Sequence, residues 1–412
     1  MKTTLLAASL SLGLAASLLA PAARADGFDL RPLLVSELDF RGHSAKELEG
    51  EDGFALARLR AGAQVTFTSW FRTQVQLELA KDEGPTILDA FAAVSPSPEW
   101  EISLGAAQTP LFTSARDEPL WSLPVPELTM VARAFWPAYD LGLEVHRLPT
   151  KRLPVEGWLR FGNGSGSALG NDNSDYAIDA RLDVALGRAA PPDHAPRGPG
   201  LTVTGVAPKP GPRELLGLRF GAGFHAESAL DRLGITGRTA DGFSFYRPVT
   251  VSGARYVVEG HLVGYAGPVK VTVEAAFAKE NRSADTDGNP DTPRQPLAPV
   301  HSRGGSVEAA WMIVGPWRRH GQWPVDTPIG AWDWGALEVA GRAERLELGR
   351  GAKDVAPGGA TAGSAALRWW ATSFCALSAA GYYTAYDAPP VEEPKATHGW
   401  MGLGRATVRL PY

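Results

Sequence analysis

Alternation of apolar and polar residues dominates this chain. In "RLRAGAQVTFTSWFRTQVQLELAKDE" Leu59, Ala61, Ala63, Val65 and Phe67 fall on one side, with Arg58, Arg60, Gln64 and Thr66 on the other. After a turn near Thr68-Ser69-Trp70, Phe71, Val75, Leu77 and Leu79 oppose Arg72, Gln74, Gln76 and Glu78. A period of two is the signature of a strand with one greasy and one wet face, so the pattern predicts a long hairpin. It recurs where Tyr256, Val258 and Leu262 oppose Arg255, Glu259 and His261, and where Val269, Val271, Val273, Ala275 and Phe277 oppose Lys270, Thr272 and Glu274. Leu337, Val339 and Ala343 against Glu338, Arg342 and Glu344 repeat it, and "ATVRLPY" at residues 406–412 carries it to Tyr412.

These runs last about nine to eleven residues, the length of a tilted strand crossing an outer membrane, whereas soluble strands average about five or six. A soluble sandwich would turn the apolar face inward; a membrane barrel turns it to lipid and lines a watery lumen with the polar face. Strand length, Trp and Tyr near the predicted strand ends, and a last segment that reads as a closing strand all favour the barrel, because closure requires the first and last strands to pair.

The opening "MKTTLLAASLSLGLAASLLAPAARA" has a basic start, an apolar run and an Ala-Arg-Ala site, so residues 1–25 read as a secretory signal and 26–412 as one barrel domain. No later apolar run is long enough for a spanning helix. The formal charge is −5, or −7 once Lys2 and Arg24 of the leader are removed, which does not suggest a nucleic-acid partner. Cys375 stands alone, so no internal disulfide supports the fold. The 46 Gly and 33 Pro are spread along the chain, the punctuation of an all-β protein. Long polar or Pro-rich stretches at 187–214, 281–305 and 349–364 are expected to be outer loops. At about 24 residues per strand and connection the expected fold is an all-β transmembrane antiparallel barrel of about sixteen strands.

Particular residues extend the reading. "LDAFAAVSPSPEWEISLGAAQTPL" carries Asp89-Ala90, a hairpin, and a Gly105-to-Pro110 step into a loop. Asn163-Gly164, Asn173, Asp175 and Ala180-Arg181 follow, then Gly335-Ala336, Glu338, Ala340 and Arg342, then the closing strand. In this order the segments resemble the phosphate-selective porin O and P family of outer-membrane porins. The resemblance implies an inward-folded constriction loop, a trimer, and passage of small hydrophilic solutes, anions such as phosphate among them. The acid expected soon after the loop's Pro is delayed to Asp117 and Glu118, and the chain ends Pro411-Tyr412 where members end on Phe. The acidic balance does not carry the family's substrate over.

The candidate constriction loop holds Arg116, Asp117, Glu118, Glu127 and Arg133 among Pro and Trp, where alternation is lost; charged rings at a narrowing set ion preference. An outer loop with no part in selectivity is its alternative. By parity Arg58, Arg60, Arg72, Arg181, Arg255, Lys270, Arg342 and Arg409 face the lumen. They could pass anions between guanidinium forks, or merely balance facing acids such as Glu78, Glu259 and Glu344. "DTDGNPD" at 285–291 starts like a calcium loop, but its twelfth position is Pro296, and the histidines show no zinc spacing, so no metal or cofactor is expected. No catalytic motif appears, and a non-enzymatic outer-membrane porin is expected. Its rivals are a plugged or non-selective structural barrel, and a soluble secreted β-rich glycan binder or hydrolase.

Overall fold

The computed structural model describes residues 29–44, 52–81, 84–150, 152–164, 176–189, 215–285, 293–321, 323–325, 334–390 and 394–410. The secretory signal, Pro411-Tyr412 and most of the calcium-like stretch lie outside them. In chain order the strands are β1 (Asp29–His43), β2 (Gly53–Thr68), β3 (Phe71–Glu78), β4 (Thr86–Ser97), β5 (Trp100–Gln108), β6 (Tyr139–Arg147), β7 (Val155–Gly162), β8 (Ala177–Gly187) and β9 (Leu216–Leu233). There follow the short β10 (Gly237–Arg238) and β11 (Ser244–Tyr246), then β12 (Thr250–Ala266), β13 (Val269–Ala284), β14 (Gln295–Val314), β15 (Ala336–Arg350), β16 (Gly358–Trp370), β17 (Cys375–Tyr386) and β18 (His398–Arg409).

All but β10 and β11 form one closed barrel of 16 strands. Each pairs antiparallel with its sequence neighbour, and β1 closes the sheet against β18 in the register Val35↔Arg409 to His43↔Met401. The expected sixteen-strand barrel is therefore the observed fold. No described helix is long and apolar enough to cross a membrane.

The faces are inverted relative to a soluble protein. On β3 Arg72, Gln74, Gln76 and Glu78 are buried while Val75 is half exposed. On β18 Arg405, Thr407 and Arg409 are buried while Val408 is exposed. The outward side carries two aromatic belts. Trp70, Trp100, Trp311, Trp334 and Trp369 ring the near end, where β1 begins and β18 ends; Phe40, Phe54, Tyr256, Tyr383 and Trp400 lie toward the far end. Amphipathic rings at two heights, with apolar wall between, match the two interfaces of a bilayer.

Two of the stretches expected as outer loops are shorter than expected. β13 runs to Ala284 and β14 starts at Gln295, while β15 runs to Arg350 and β16 starts at Gly358. The strands extend past the apolar band, and Pro296 joins the ladder opposite Ser283. A Pro is tolerated there because a strand's first residues need not donate. Most of the third stretch, 190–214, lies outside the described residues.

Candidate functional site: the inward loop and the charged lumen

β5 leads into the lumen through Gly105, whose φ is +136°. A Cβ there would sit 2.2 Å from the Ala90 carbonyl oxygen on β4, so only glycine allows the wall to close at this height. From Thr109 to Ala138 the chain folds inward: one helical turn (Thr113–Arg116), a 3-10 turn (Leu120–Ser122), an extended Pro-rich stretch, and a helix (Met130–Phe135). Thr129 caps that helix by accepting from the Ala132 amide at 3.0 Å, which explains its start.

The loop's charges face the barrel wall. Arg116 pairs with Glu144 on β6 at 2.8 Å. Asp117 accepts from Arg181 on β8 at 2.5 Å and from Thr113 at 2.6 Å, with Arg219 on β9 3.6 Å away. Glu118 meets Lys270 on β13, and Arg318 at 3.5 Å. Glu127 is gripped by Arg405 on β18, by Arg58 on β2 at 3.3 Å and by Arg133 of its own loop. Burial alone would push the Asp117, Glu118 and Glu127 carboxyls up, but the surrounding cations outweigh it and hold all three below the usual carboxylate range.

Wall arginines also hold the loop backbone. The stretch Trp121–Leu128 has no ladder to satisfy its carbonyls, and arginines supply the donors. Arg368 on β16 donates to Leu123 O at 2.5 Å and to Trp121 O; Arg342 on β15 donates to Glu127 O at 2.6 Å; Arg405 donates to Pro126 O.

The remaining candidates spread along the lumen. Arg60 pairs with Glu78 at 2.9 Å and Arg72 with Glu101 at 2.7 Å. Arg255 meets Glu227 and Glu280 at 2.7 Å toward the far end. Arg409, at the near end, lies 4.5 Å over the Trp323 ring and donates to Ser373 O at 3.1 Å. Thus Arg58, Arg181, Lys270 and Arg342 gather on the loop, while Arg72, Arg255 and Arg409 do not.

Parity within the quoted runs missed Arg160, Arg219, Arg318 and Arg368, and Arg405 was left out although it lies on the polar side of the final strand. Two further inward segments were missed as well. Between β9 and β12 the β10–β11 pair brings Ile235, Phe245 and Tyr246 into one apolar cluster with Met130, Val131 and Phe135 of the loop and with Val257, Ala278 and Leu346 of the wall. Between β14 and β15, residues 315–321 and 323–325 turn back into the near end. There Arg318 pairs with Glu338 at 2.6 Å and Trp323 packs edge-on against Trp370, ring centres 4.6 Å apart. Trp317 and Trp323 around Arg318, Arg319 and His320 were the available signal. Together the three segments bury even Arg160, Arg219 and Arg368, each about 2 % exposed or less.

No family model matches the chain, and no curated protein does. Solved structures do resemble it. The loop L8 deletion mutant of OmpT, an outer membrane protein of Vibrio cholerae, matches at a TM-score of 0.55 and 12% identity over 93% of this chain and 100% of its own. An anion-selective porin from Comamonas acidovorans matches at 0.54 and 10% identity, covering 93% and 100%. The outer membrane channel DcaP of Acinetobacter baumannii matches at 0.55 and 9% identity, covering 94% and 99%. At these identities the likeness is one of fold: the chain has the closed barrel seen in outer-membrane porins.

Proposed function

We propose that the chain is an exported outer-membrane porin that conducts small hydrophilic solutes slowly through a narrow, charge-compensated lumen. The observation that carries this is a thirty-residue loop, 109–138, folded into a closed barrel and lined by ion pairs, within a wall whose outer face is apolar between two aromatic belts. Such a wall disfavours the soluble glycan binder or hydrolase. A lumen of paired charges can replace part of a solute's hydration, which is passive transport and not catalysis.

Phosphate selectivity is the finer reading. It needs guanidinium forks that can turn to an oxyanion, and here Arg181, Arg342, Arg368 and Arg405 are engaged by carboxylates or loop carbonyls. General diffusion, with solutes such as phosphate passing as others do, fits that arrangement better. A trimer is supported by a similar barrel described in trimer form, and export by residues 1–25.

The second reading is a structural barrel whose lumen is plugged, favoured by the burial of the lumen arginines under three inward segments. Purified protein in a planar bilayer under a salt gradient separates the two. Small steps with a reversal potential near zero, unmoved by phosphate, are expected. Strong anion preference with phosphate block would restore the selective reading, and a bilayer that stays silent with heat-modifiable, folded protein would establish the plug.

A further inference from the structure

The outer wall carries a cluster of charge at the far edge of its apolar band. On β14 the outward positions from the near-end belt are Trp311, Ala309, Val307 and Gly305, and the next is Arg303. On β15 they are Leu337, Val339, Gly341 and Ala343, and the next is Arg345. About eight residues at ~3.3 Å each, tilted by about 40°, climb roughly 20 Å, close to the height of a lipid-facing apolar band. Arg303 and Arg345 therefore stand where hydrocarbon gives way to headgroups.

Below them runs a groove of about 670 Å3 floored by Gly260, Ala275 and Gly305 and walled by Val258 and Phe277. The protein does not need these glycines for its own packing: a Cβ on Gly260 would meet nothing closer than 3.9 Å, and one on Gly305 nothing closer than 3.6 Å. Their small size leaves an apolar trough on the lipid side.

The charge above the trough is positive. Arg303 Nε donates to Glu347 at 2.8 Å, and its terminal nitrogens have no acceptor among the described residues. Arg345 grips Asp387 at 2.6 and 2.7 Å and reaches Glu347 at 3.3 Å, with Arg350 3.8 Å from the Asp387 carboxylate. Lys279 on β13, opposite His301 in register, has no carboxylate partner among the described residues. Three guanidinium groups and one ammonium thus meet two carboxylates. An acyl trough ending in surplus positive charge, with the open fork of Arg303 above it, fits an amphiphile with a compact, highly charged oxyanion head.

We propose that this face binds a lipid bearing a phosphate monoester, its head on the terminal nitrogens of Arg303 and on Lys279 beside the ion-paired Arg345, and one acyl chain in the groove. The proposal needs the wall to face lipid but does not need the lumen to conduct, so a silent channel would leave it standing.

The test is native mass spectrometry of the folded full chain in neutral detergent, titrated with dilauroyl phosphatidic acid, with the phosphatidylcholine of the same chains, and with inorganic phosphate. One phosphatidic acid should be retained with about tenfold preference over phosphatidylcholine, and Arg303→Gln with Arg345→Gln should lower its affinity about tenfold. Lys279→Gln, which breaks no described ion pair, should lower it about threefold and guards against a double variant that fails to fold. Gly305→Val should weaken phosphatidic acid by filling the trough. Equal retention of both lipids, retention indifferent to the Lys279 and Gly305 variants, or competition by inorganic phosphate as strong as by the lipid would each overturn the assignment.

Discussion

From Arg116 to Leu128 the inward loop is fastened to the barrel chiefly by charge, whereas from Met130 to Phe135 it is fastened chiefly by apolar packing, with one bond from the Met130 amide to Glu344. The first stretch offers carboxylates and bare carbonyls, and guanidinium groups from β2, β8, β15, β16 and β18 meet them. The second buries Met130, Val131 and Phe135 against Val257, Ala278 and Leu346, inward positions that a watery lumen would have made polar. One constriction thus rests on two mechanisms. Charge fixes where the loop lies, since each fork must find its oxygen, while packing excludes water without fixing register.

Removing a shared counter-ion should do most to break that contrast. Glu127→Ala leaves Arg58, Arg133 and Arg405 facing one another in a buried site, and a loss of about 3–5 kcal/mol is expected in denaturant unfolding from detergent. Conductance should rise as the loop loosens; unchanged stability and conductance would mean the charges are idle. Met130→Ala should cost less, about 2–3 kcal/mol, through the cavity left in the apolar cluster. Its conductance should stay near that of the parent, because the charged stretch still holds the loop in place.

Acid should act chiefly on the charged stretch. Asp117, Glu118 and Glu127 are held below their ordinary values because nearby cations outweigh burial. Such groups contribute stability that is fully present above the unfolded value near 4 and is lost as pH falls through the folded one. The hold exerted by these three carboxylates should therefore persist from pH 8 to about 5 and fail only well below pH 4; a conductance step near neutrality would point instead to Glu274 of β13, which accepts from the Ser114 amide at 2.8 Å and hydroxyl at 2.6 Å. The smallest effect belongs to the exterior, where Asp354→Asn, breaking the exposed pair with Arg282 at 2.6 Å, should leave thermal unfolding unmoved.

The barrel itself was legible because its signal is local and repeated. Arg72, Gln74, Gln76 and Glu78 declare a face within a few residues, and the end of alternation at Pro110 marks the inward loop. What held the loop was not legible. Arg342 donates to a carbonyl 215 residues away along the chain, and nothing in its own strand names that partner. The apolar patch was hidden for a related reason: Val257, Ala276 and Ala278 sit at inward positions of strands whose other inward residues are charged, so they read as interruptions until the helix from Met130 covers them.

The grip on Glu127 has a bearing on how the cylinder is assembled. Its carboxylate joins Arg58 on β2 to Arg405 on β18, either side of β1, where the sheet meets itself and where Thr407 reaches Glu37 across 370 residues of sequence. Contacts so distant in sequence are the slowest to find, because the whole intervening chain must be ordered or looped out first. The loop, from the first third of the chain, offers the last strand a buried anion from inside. The constriction thereby doubles as a clasp, and a barrel that narrows its own lumen also marks the spot at which it must be sewn shut.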